Sequence, residues 1–348
     1  MPQLAPIAPA LLQWYYQNRR ILPFREDPTP YHIWVSEIML QQTRVAAALP
    51  YYHRFMQALP TIQALAACSE EKLHKLWEGL GYYSRVRNLQ KAAKIVVEQY
   101  AGSLPGNYSQ LVALPGIGEY TAGAIASIAF GLPEVAVDGN VLRVFSRLLA
   151  STADIAQPAT KKALGHEVKR QQPPEKAGDY NQAIMELGAL VCLPGEPLCT
   201  ACPLAGLCRG YAQGMAAALP CKAPKKEKQI LDICVFVVHS GRRILLQQRP
   251  PHGLLAGLWQ PPLAEGLFPR QQALRLLQQF APGAALEEPL PAAKHVFTHK
   301  IWNLYGWQCT APEGTIPLQQ CIFVTPAQIS GQYTLPGAFK TYLPFMAG

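Results

Sequence analysis

Residues 192–208 read CLPGEPLCTACPLAGLC, and this stretch gathers four of the nine cysteines of the 348-residue chain. The spacing is C-x6-C-x2-C-x5-C, at Cys192, Cys199, Cys202 and Cys208. The other five cysteines are scattered singly, which does not favour a disulfide framework. A structural zinc site usually combines two tight C-x2-C pairs, and only one pair here is tight. The longer loops favour a 4Fe-4S cluster, with zinc and no metal as the alternatives.

The sequence before this stretch and the sequence after it have different patterns of apolar residues. Before it, apolar residues recur at helical spacing, as in EEKLHKLWEGL and VRNLQKAAKIVVEQY, with turn signals such as SLPGN between them. After it, ILDICVFVV and RRILLQQ are strand-like runs separated by HSG, and RQQALRLLQQF is typical of a helix. The sequence therefore predicts a multidomain protein: an all-α domain at 1–212, a linker at 213–230 rich in Ala, Pro and Lys, and an α+β domain at 231–348.

The net charge of the chain is +9, from 31 Lys and Arg against 22 Asp and Glu. A basic surface favours a polyanionic partner such as nucleic acid, and a merely solvated surface is the alternative. The N-terminal sequence MPQLAPIAPALLQWYYQNRR lacks the charged region that precedes the apolar run of a signal peptide. We therefore expect a cytoplasmic, nucleoid-associated protein that does not bind membranes.

The cysteine stretch follows a helix-like segment, YNQAIMELGALVC, and together they resemble the cluster loop of the endonuclease III and MutY branch of DNA glycosylases. Residues 111–124, LVALPGIGEYTAGA, are similar to the helix-hairpin-helix of that superfamily, predicted here at about 109–130. Gly116 and Gly118 would permit a tight turn whose backbone N–H groups hold a DNA phosphate. A plain helix–turn–helix is the alternative for this pattern alone. In VDGN, Asp138 falls where the superfamily has its catalytic aspartate.

Two further segments define the branch that the chain resembles. Superfamily members that also cleave the DNA backbone carry a lysine two residues after the second glycine of the hairpin, where this chain has Tyr120. Since an amine is needed for the Schiff base, the resemblance implies hydrolysis that stops at an abasic site. Residues 22–45, LPFREDPTPYHIWVSEIMLQQTRV, are closely similar to the segment that carries the general acid of MutY-type adenine glycosylases, which maps onto Glu37.

The chemistry of the bond requires two carboxyl groups with opposite roles. Adenine leaves deoxyribose poorly as an anion, so an acid that protonates N7 lowers the barrier, and a carboxylate stabilises the oxocarbenium-like charge on the sugar. Glu37 lies in an apolar run, WVSEIML, where desolvation would keep it protonated. Asp138, near a helix start, would stay ionised beside Asn140 and Tyr120. For an isolated glutamate in a helix, a salt-bridged surface residue is the alternative.

The resemblance also implies a base pocket and a DNA-contacting surface. The residues that map onto the adenine pocket are Leu22, Phe24, Arg25 and Gln182. Those that map onto DNA contacts are Gln41, Gln42, Thr43, Leu80 and Tyr82, of which Gln41–Thr43 and Tyr82 would wedge beside the opposing base when the adenine is flipped out. Phe24 departs from the commoner tryptophan of the family, and either ring can pack against a base. An ordinary polar helix end and a half-buried core tyrosine are the alternatives for Gln41–Thr43 and Tyr82.

The second domain resembles a Nudix-type domain. A Nudix hydrolase needs glutamates on its helix to hold magnesium, and this chain has Gln278 and Gln279 there, so we expect no nucleotide hydrolysis. In MutY proteins such a domain recognises 8-oxoguanine with a Phe-Ser-His loop, which maps onto Phe297, Thr298 and His299. Threonine keeps the serine hydroxyl and adds a methyl group. The alternative for HVFTHK is a strand whose alternate residues pack the core.

The resemblance as a whole implies a monomeric adenine DNA glycosylase that acts on A:8-oxoguanine or A:G mispairs in double-stranded DNA. Two other functions remain open from the sequence. A thymine or other mismatch glycosylase would share Tyr120 and the cluster. In a non-catalytic DNA-binding protein that carries the cluster, Glu37 and Asp138 would be incidental.

Overall fold

The computed structural model describes residues 4–224 and 227–347. These residues form two compact units: the first comprises residues 4–67 and 87–224, and the second comprises residues 68–86 and 227–347. Residues 225–226 of the predicted linker, and the terminal residues 1–3 and 348 of the two predicted domains, lie outside the described residues. The segment 68–86 groups with the second unit, and the predicted domain limits at 212 and 230 stay predictions.

The α-helices of the described residues are α1 (Ala8–Asn18), α2 (Pro23–Glu26), α3 (Pro30–Leu40), α4 (Val45–Ala58), α5 (Ile62–Ala67), α6 (Glu70–Trp77), α7 (Ser84–Gln99), α8 (Tyr108–Val112), α9 (Glu119–Ile128), α10 (Gly139–Leu148), α11 (Pro158–Gln171), α12 (Ala177–Leu190), α13 (Arg209–Ala212), α14 (Arg270–Gln278) and α15 (Pro326–Gly331). Short 3-10 turns lie at Pro174–Lys176, Cys199–Ala201, Ala205–Leu207, Ala216–Ala218 and Gly337–Met346.

Polar caps fix where several helices of the first unit begin. Thr29 precedes α3 and its side chain accepts a hydrogen bond from the backbone N–H of His32. Asn107 caps α8 in the same way. Asp138 caps α10, and its carboxylate accepts from the backbone N–H of Val141. Because a cap satisfies amides that the helix itself cannot pair, these residues set the start of each helix and the direction of the side chains that follow.

One hydrophobic core cluster of the first unit is built mainly from α1, α10, α11 and α12. Leu11, Tyr15, Phe145, Ile184 and Leu187 are among its buried members. Cys192, Cys202 and Cys208 pack against the same cluster. The cysteine stretch is therefore joined to the apolar core that also anchors α10 and α12.

The second unit is built on a mixed β-sheet. Its strands are β1 (Gln229–Ser240), β2 (Arg243–Gln248), β3 (Trp259–Gln260), β4 (Leu263–Glu265), β5 (Ala285–Val296), β6 (Lys300–Thr310) and β7 (Cys321–Val324). The order in the described part is β3-β2-β1-β6-β5, with β4 on β1 and β7 on β2. β1 and β6 are parallel, and the other pairs are antiparallel. The predicted hairpin at HSG is present, since His239 pairs with Ile244 across Gly241.

The central part of β1, residues 233–238, is buried on both faces of the sheet. Val235 and Val237 belong to the cluster that includes Phe339 and Tyr342 of the C-terminal 3-10 turn, whereas Phe236 belongs to the opposite cluster, under α14. Alternate residues of a strand point to opposite faces, so the continuous run ILDICVFVV is apolar because both faces are covered. Three cysteines, Cys234, Cys309 and Cys321, are buried in the cluster on the α14 face.

Residues 68–86 are held to the second unit by polar contacts. Lys75 Nζ donates to the carbonyl oxygen of Ile329 at 3.3 Å, and the backbone N–H of Leu335 donates to Glu78 Oε1 at 3.2 Å. Lys75 and Glu78 also form an ion pair at 2.7 Å. These contacts anchor α6 and the GLGYYSR turn that follows it. Within the described residues, no helix is both long and apolar enough to span a membrane.

Candidate active site

Glu37 lies near the end of α3 and is 7% exposed. Tyr120, on α9, donates its hydroxyl hydrogen to Glu37 Oε2 at 2.6 Å. Burial raises the pKa of Glu37 to about 7, and the negative charge of Asp138 adds to this, while the Tyr120 hydrogen bond and the positive charge of Arg25 oppose it. Since a buried carboxyl loses hydration when it ionises, desolvation dominates. Glu37 thus holds a proton at a higher pH than an ordinary glutamate.

Asp138 combines a structural role with its position in the site. Its Oδ1 accepts from the backbone N–H of Val141 at 2.8 Å, and its Oδ2 accepts from Asn140 Nδ2 at 2.7 Å. Burial raises the pKa of Asp138, against the hydrogen bonds from Val141 and Asn140 and the positive charge of Arg143, which lower it. The sequence predicts an ionised carboxylate here. The hydrogen-bond donors in the structure favour the ionised form of Asp138. Burial opposes ionisation, and nothing in the sequence indicated this burial.

Tyr120 links the two carboxyl groups electrostatically. Burial and the negative charges of Glu37 and Asp138 hold the pKa of Tyr120 well above its ordinary value, so its hydroxyl stays a donor. Met185 Sδ, on α12, lies 3.6 Å from the same hydroxyl. The site therefore brings together a carboxyl that retains its proton, a second carboxyl held by hydrogen-bond donors, and a neutral phenol. The two carboxyl groups can act as general acid and electrostatic stabiliser.

The four residues predicted for the base pocket lie on or beside α2 and on α12. Leu22 precedes α2 and is buried, and Phe24 packs its ring edge-on against Tyr52 at 5.5 Å between centroids. Arg25 Nε donates to Gln182 Oε1 at 3.1 Å. Arg25 and Gln182 are thus brought together although 157 positions separate them in the sequence.

The sequence analysis missed Glu186, which lies one helical turn after Gln182 on α12 and is 0% exposed. It binds Arg20 and Arg25 through salt bridges of 2.7 and 2.8 Å. A signal for it was present, because a lone glutamate in the apolar run AIMELGAL needs a cationic partner, and NRRILPFR supplies three arginines.

The predicted helix-hairpin-helix is formed by α8, the turn at 113–118 and α9. Gly116 has a φ of 79°, and a Cβ at this position would approach Asn88 Cβ at 2.8 Å, so glycine is required there. Gly118 has an ordinary extended backbone with φ −89°, contrary to the expectation that the turn needs its flexibility. A Cβ on Gly118 would meet no atom of the described residues within 4 Å. This glycine leaves open space at the start of α9.

Gln41, Gln42 and Thr43 follow the end of α3 directly. Gln41 Nε2 donates to Thr121 Oγ1 at 3.3 Å, and Gln42 adopts a left-handed backbone with φ 59°. The backbone N–H of Thr43 donates to the carbonyl oxygen of Leu40 at 3.2 Å. A left-handed conformation is costly for a residue other than glycine, so the contacts on both sides hold this turn in place.

Leu80 and Tyr82 lie in the turn after α6, within the second unit. Leu80 is buried, whereas Tyr82 is 48% exposed and has a left-handed φ of 49°. The Tyr82 hydroxyl lies 3.3 Å from Thr298 Oγ1, and the guanidinium of Arg85 lies 5.4 Å from the centre of its ring. Of these two residues predicted to contact DNA, Tyr82 is the one with its side chain at the surface.

The predicted recognition residues form the tip between β5 and β6. The backbone N–H of Phe297 donates to the carbonyl oxygen of Lys300 at 2.8 Å. Phe297 is half-buried against Trp302, with ring centroids 4.9 Å apart, whereas Thr298 and His299 are exposed. Residues 297–299 are thus a turn in which one side chain packs inward and two face solvent. The alternative of a strand that packs alternate residues does not hold at these positions.

The four predicted cluster ligands line one cavity together with Arg147. Arg147 is 1% exposed, and it donates to Cys192 Sγ at 3.2 Å and to the carbonyl oxygens of Leu193, Gly195 and Leu219 at 2.7, 3.3 and 3.0 Å. The described residues contain no group of three or more His, Cys, Asp or Glu side chains that could hold a single metal ion. Arg147 was not identified from the sequence.

A chain of hydrogen bonds runs from Asp138 to the cysteine stretch. Asn140 bonds Asp138 through its amide nitrogen and accepts from Arg143 Nη2 at 2.9 Å through its oxygen. Arg143 also donates from Nε to the carbonyl oxygen of Cys192 at 2.8 Å and from Nη2 to that of Gly188. The carboxylate and the first cysteine are therefore connected by two side chains, one at the start of α10 and one a turn further on.

Comparison with protein-family models gives a match in each part of the chain. Residues 35–170 match the HhH-GPD superfamily of base excision DNA repair proteins, and residues 234–344 match the NUDIX domain. The adenine DNA glycosylase of Mus musculus is 39% identical, over 88% of this chain and 72% of its own length. That of Homo sapiens is 38% identical, over 89% of this chain and 67% of its own length.

Two solved structures are similar to this chain over 59% of its length. A thermostable thymine-DNA glycosylase has a TM-score of 0.53 and 27% identity, covering 59% of this chain and 94% of its own. A trapped covalent intermediate of endonuclease III with DNA has a TM-score of 0.51 and 25% identity, covering 59% of this chain and 93% of its own.

Proposed function

The chain belongs to the adenine DNA glycosylase family of the HhH-GPD superfamily, and from this premise we propose its substrate and its product. It is a DNA N-glycosylase of base excision repair that excises adenine. We propose that the adenine is mispaired with 8-oxoguanine or G in duplex DNA, and that the reaction ends at the abasic site.

The observation that carries this proposal is the group formed by buried Glu37 and by Tyr120 and Asp138, which are half-buried. With its pKa raised to about 7, Glu37 is the proton donor, and N7 of the flipped-out adenine is the acceptor. As the glycosidic bond breaks, the bonding electrons leave with the protonated base and positive charge develops on the sugar. Asp138 stabilises that charge, and a water molecule completes the hydrolysis at the sugar carbon.

Tyr120 supports the proposal that the reaction stops after base release and does not cleave the DNA strand. A lyase step requires an amine that forms a Schiff base with the sugar, and a phenol cannot form one. The Tyr120 hydroxyl is engaged with Glu37 at 2.6 Å, and its raised pKa keeps it neutral. Its role in the proposed reaction is to orient the acid.

Recognition of the opposing base is assigned to the exposed tip of the second unit. Thr298 and His299 face solvent and provide a hydroxyl and an imidazole that can bond a base edge. Tyr82 lies next to Thr298 and presents a half-exposed ring of the kind that stacks on bases. The helix in the position of a Nudix catalytic helix ends at Gln278 and is followed by Gln279, so magnesium-dependent nucleotide hydrolysis is not part of the proposal.

Cys192, Cys199, Cys202 and Cys208 are proposed to hold a 4Fe-4S cluster. The four thiols line a common cavity, and they do not form the close group of ligands that a single ion needs. Buried Arg147 donates to the Cys192 sulfur, which suits a thiolate ligand. When bound, the cluster would supply bonds that fix this loop, which otherwise has few elements of regular structure. We further propose that the protein acts as a cytoplasmic, nucleoid-associated monomer.

The test is a single-turnover base-release assay on duplexes that carry A, T or C opposite 8-oxoguanine or G. We expect release of adenine alone, faster opposite 8-oxoguanine than opposite G, and an abasic strand that is intact until alkali is added. Release of thymine would instead support a mismatch glycosylase of a different specificity. Tight binding without release of any base would overturn the catalytic proposal.

A further inference from the structure

Glu186 is a buried carboxylate that the proposed reaction does not use. Both of its oxygens are engaged: Oε1 accepts from the backbone N–H and Nε of Arg20 at 2.9 and 2.7 Å, and Oε2 accepts from Arg20 Nη2 and Arg25 Nη2 at 2.7 and 2.8 Å. These bonds and the two positive charges lower the pKa of Glu186 to about 2 in spite of its burial. Glu186 is therefore a permanent anion within α12.

Arg25 is held by all of its guanidinium nitrogens. Nη2 donates to Glu186, Nη1 to the carbonyl oxygen of Arg20 at 3.2 Å, and Nε to Gln182 Oε1 at 3.1 Å. A guanidinium can only donate, so the oxygen of the Gln182 amide must face it, and the amide NH2 must point the other way. Glu186 thus fixes Arg25, and Arg25 fixes which group Gln182 presents.

The positive charge of the same arginine acts on Glu37. The charged and titratable groups that act on Glu37 are Tyr120 from α9, Asp138 at the start of α10 and Arg25 from α2. Arg25 opposes protonation of Glu37, and its charge is partly cancelled by the bound carboxylate of Glu186. Arg20, Arg25 and Glu186 together carry a net charge of about +1, from two cations and one anion.

We propose that Glu186 is a positioning residue for the acid step. It holds the Arg25 guanidinium and the Gln182 amide in place, and it offsets the positive charge that Arg25 brings to Glu37. The inference rests on the proposed function in one respect, that Glu37 donates the proton to the leaving base.

Two substitutions that change the charge of this group in opposite directions provide the test. Glu186→Gln raises the net charge to about +2, so Glu37 should lose its proton at lower pH. The alkaline limb of the profile of single-turnover rate against pH should therefore shift to lower pH by about half a unit or more. Arg20→Gln lowers the net charge to about zero, so the limb should stay in place or move up. Arg20 is partly exposed, at 36% of its side chain, and tolerates a polar replacement.

The matched control is Glu167→Gln, which breaks the ion pair between Glu167 and Arg170 on α11. It should leave the pH profile unchanged. Iron content and circular dichroism of each purified variant establish that it is folded. If Glu186→Gln does not fold, Arg20→Gln decides alone, and a limb that moves down in it would overturn the inference.

A purely structural role for Glu186 predicts lower stability with the limb unmoved, and that result in a folded Glu186→Gln protein would overturn the inference. Failure of the proposed function gives a different result, because the unmodified protein would then release another base or none. If another base is released, the same pair of variants is compared on that base. If none is released, the acid step is absent and the inference falls with it.

Discussion

The proposed catalytic group of the first unit, Glu37 and Tyr120, and the tip at 297–299 of the second unit are built in opposite ways. Glu37 is buried and accepts a hydrogen bond from the half-buried Tyr120, whereas Thr298 and His299 face solvent. A buried ionisable group takes its pKa from the protein around it, and an exposed hydroxyl contributes one hydrogen bond in competition with water. The comparison indicates that the chemistry should depend steeply on single atoms, while recognition should be graded.

The largest effect should come from Glu37→Gln. The amide keeps the shape of the side chain and cannot donate a carboxyl proton, so the single-turnover rate should fall by at least about a hundredfold, and up to ~10⁴-fold. The measurement is adenine release from an A:8-oxoguanine duplex, with duplex binding measured alongside. Glu313→Gln, which alters an exposed glutamate of the second unit, is the control and should stay near the normal rate. Near-normal release by Glu37→Gln would remove the contrast between the two regions.

A large effect of a different kind should follow from Cys199→Ser. We expect the purified protein to be brown, and we expect this variant to lose colour, iron and soluble yield together, because the loop depends on its thiolates. Metal analysis and visible absorbance provide the measurement. The control is Cys68→Ser, which lies outside the cysteine stretch, and the protein with this change should retain its iron. A colourless, zinc-loaded and fully active protein would contradict the proposed cluster.

The pH dependence should sharpen the comparison. Glu37 must be protonated to act, and its pKa is raised to about 7, so the rate should fall as the pH rises through that value, by up to about tenfold per pH unit beyond it. Asp138 must be ionised, and its pKa is also raised, so the acid limb should lie above the usual range of an aspartate. Single-turnover rates from about pH 5 to 9 measure both limbs. A rate that stays flat above neutral pH would argue against Glu37 as the acid.

The smallest effect should come from Thr298→Ala. Loss of one exposed hydroxyl should cost about 1 kcal/mol, or roughly fivefold in the preference for A opposite 8-oxoguanine over A opposite G. The limbs of the pH profile should not move, because Thr298 lies in the other unit and outside the acid group. Thr315→Ala, a threonine that bonds a carbonyl within its own loop, is the control. An unchanged preference would refute the assignment of Thr298 to recognition.

Local patterns in the sequence were sufficient to predict the fold class and to single out Glu37 and Asp138, whose catalytic roles stay predictions. The capped start of α10 and the apolar run around Glu37 are both local signals, and the structure confirms that Asp138 caps α10 and that Glu37 is buried. The two runs of β1 and β2 were likewise apparent from residue type and from the turn between them.

The residues that escaped prediction depend on contacts between distant parts of the chain. Glu186 pairs with Arg20 and Arg25 across more than 160 positions, and Arg143 reaches the carbonyl oxygen of Cys192 across 49. Periodicity reports which face of a helix is buried, and it carries no information about which charge a buried group will meet. The grouping of residues 68–86 with the second unit could not be predicted for the same reason. Lys75 and Glu78 contact Ile329 and Leu335, which lie more than 250 positions away in the sequence.

The three cysteines buried in the sheet have a consequence for chemical labelling. Burial raises the pKa of Cys234 to about 11 and that of Cys321 to about 12, and it raises the pKa of Cys309 further. At neutral pH these sulfurs are thiols rather than thiolates, and they are enclosed by apolar side chains. Alkylating reagents and peroxide should therefore not react with them in the folded protein. Covalent modification of the folded protein should therefore report on the cysteines outside the sheet, and labelling of the sheet cysteines should mark the moment at which the second unit opens.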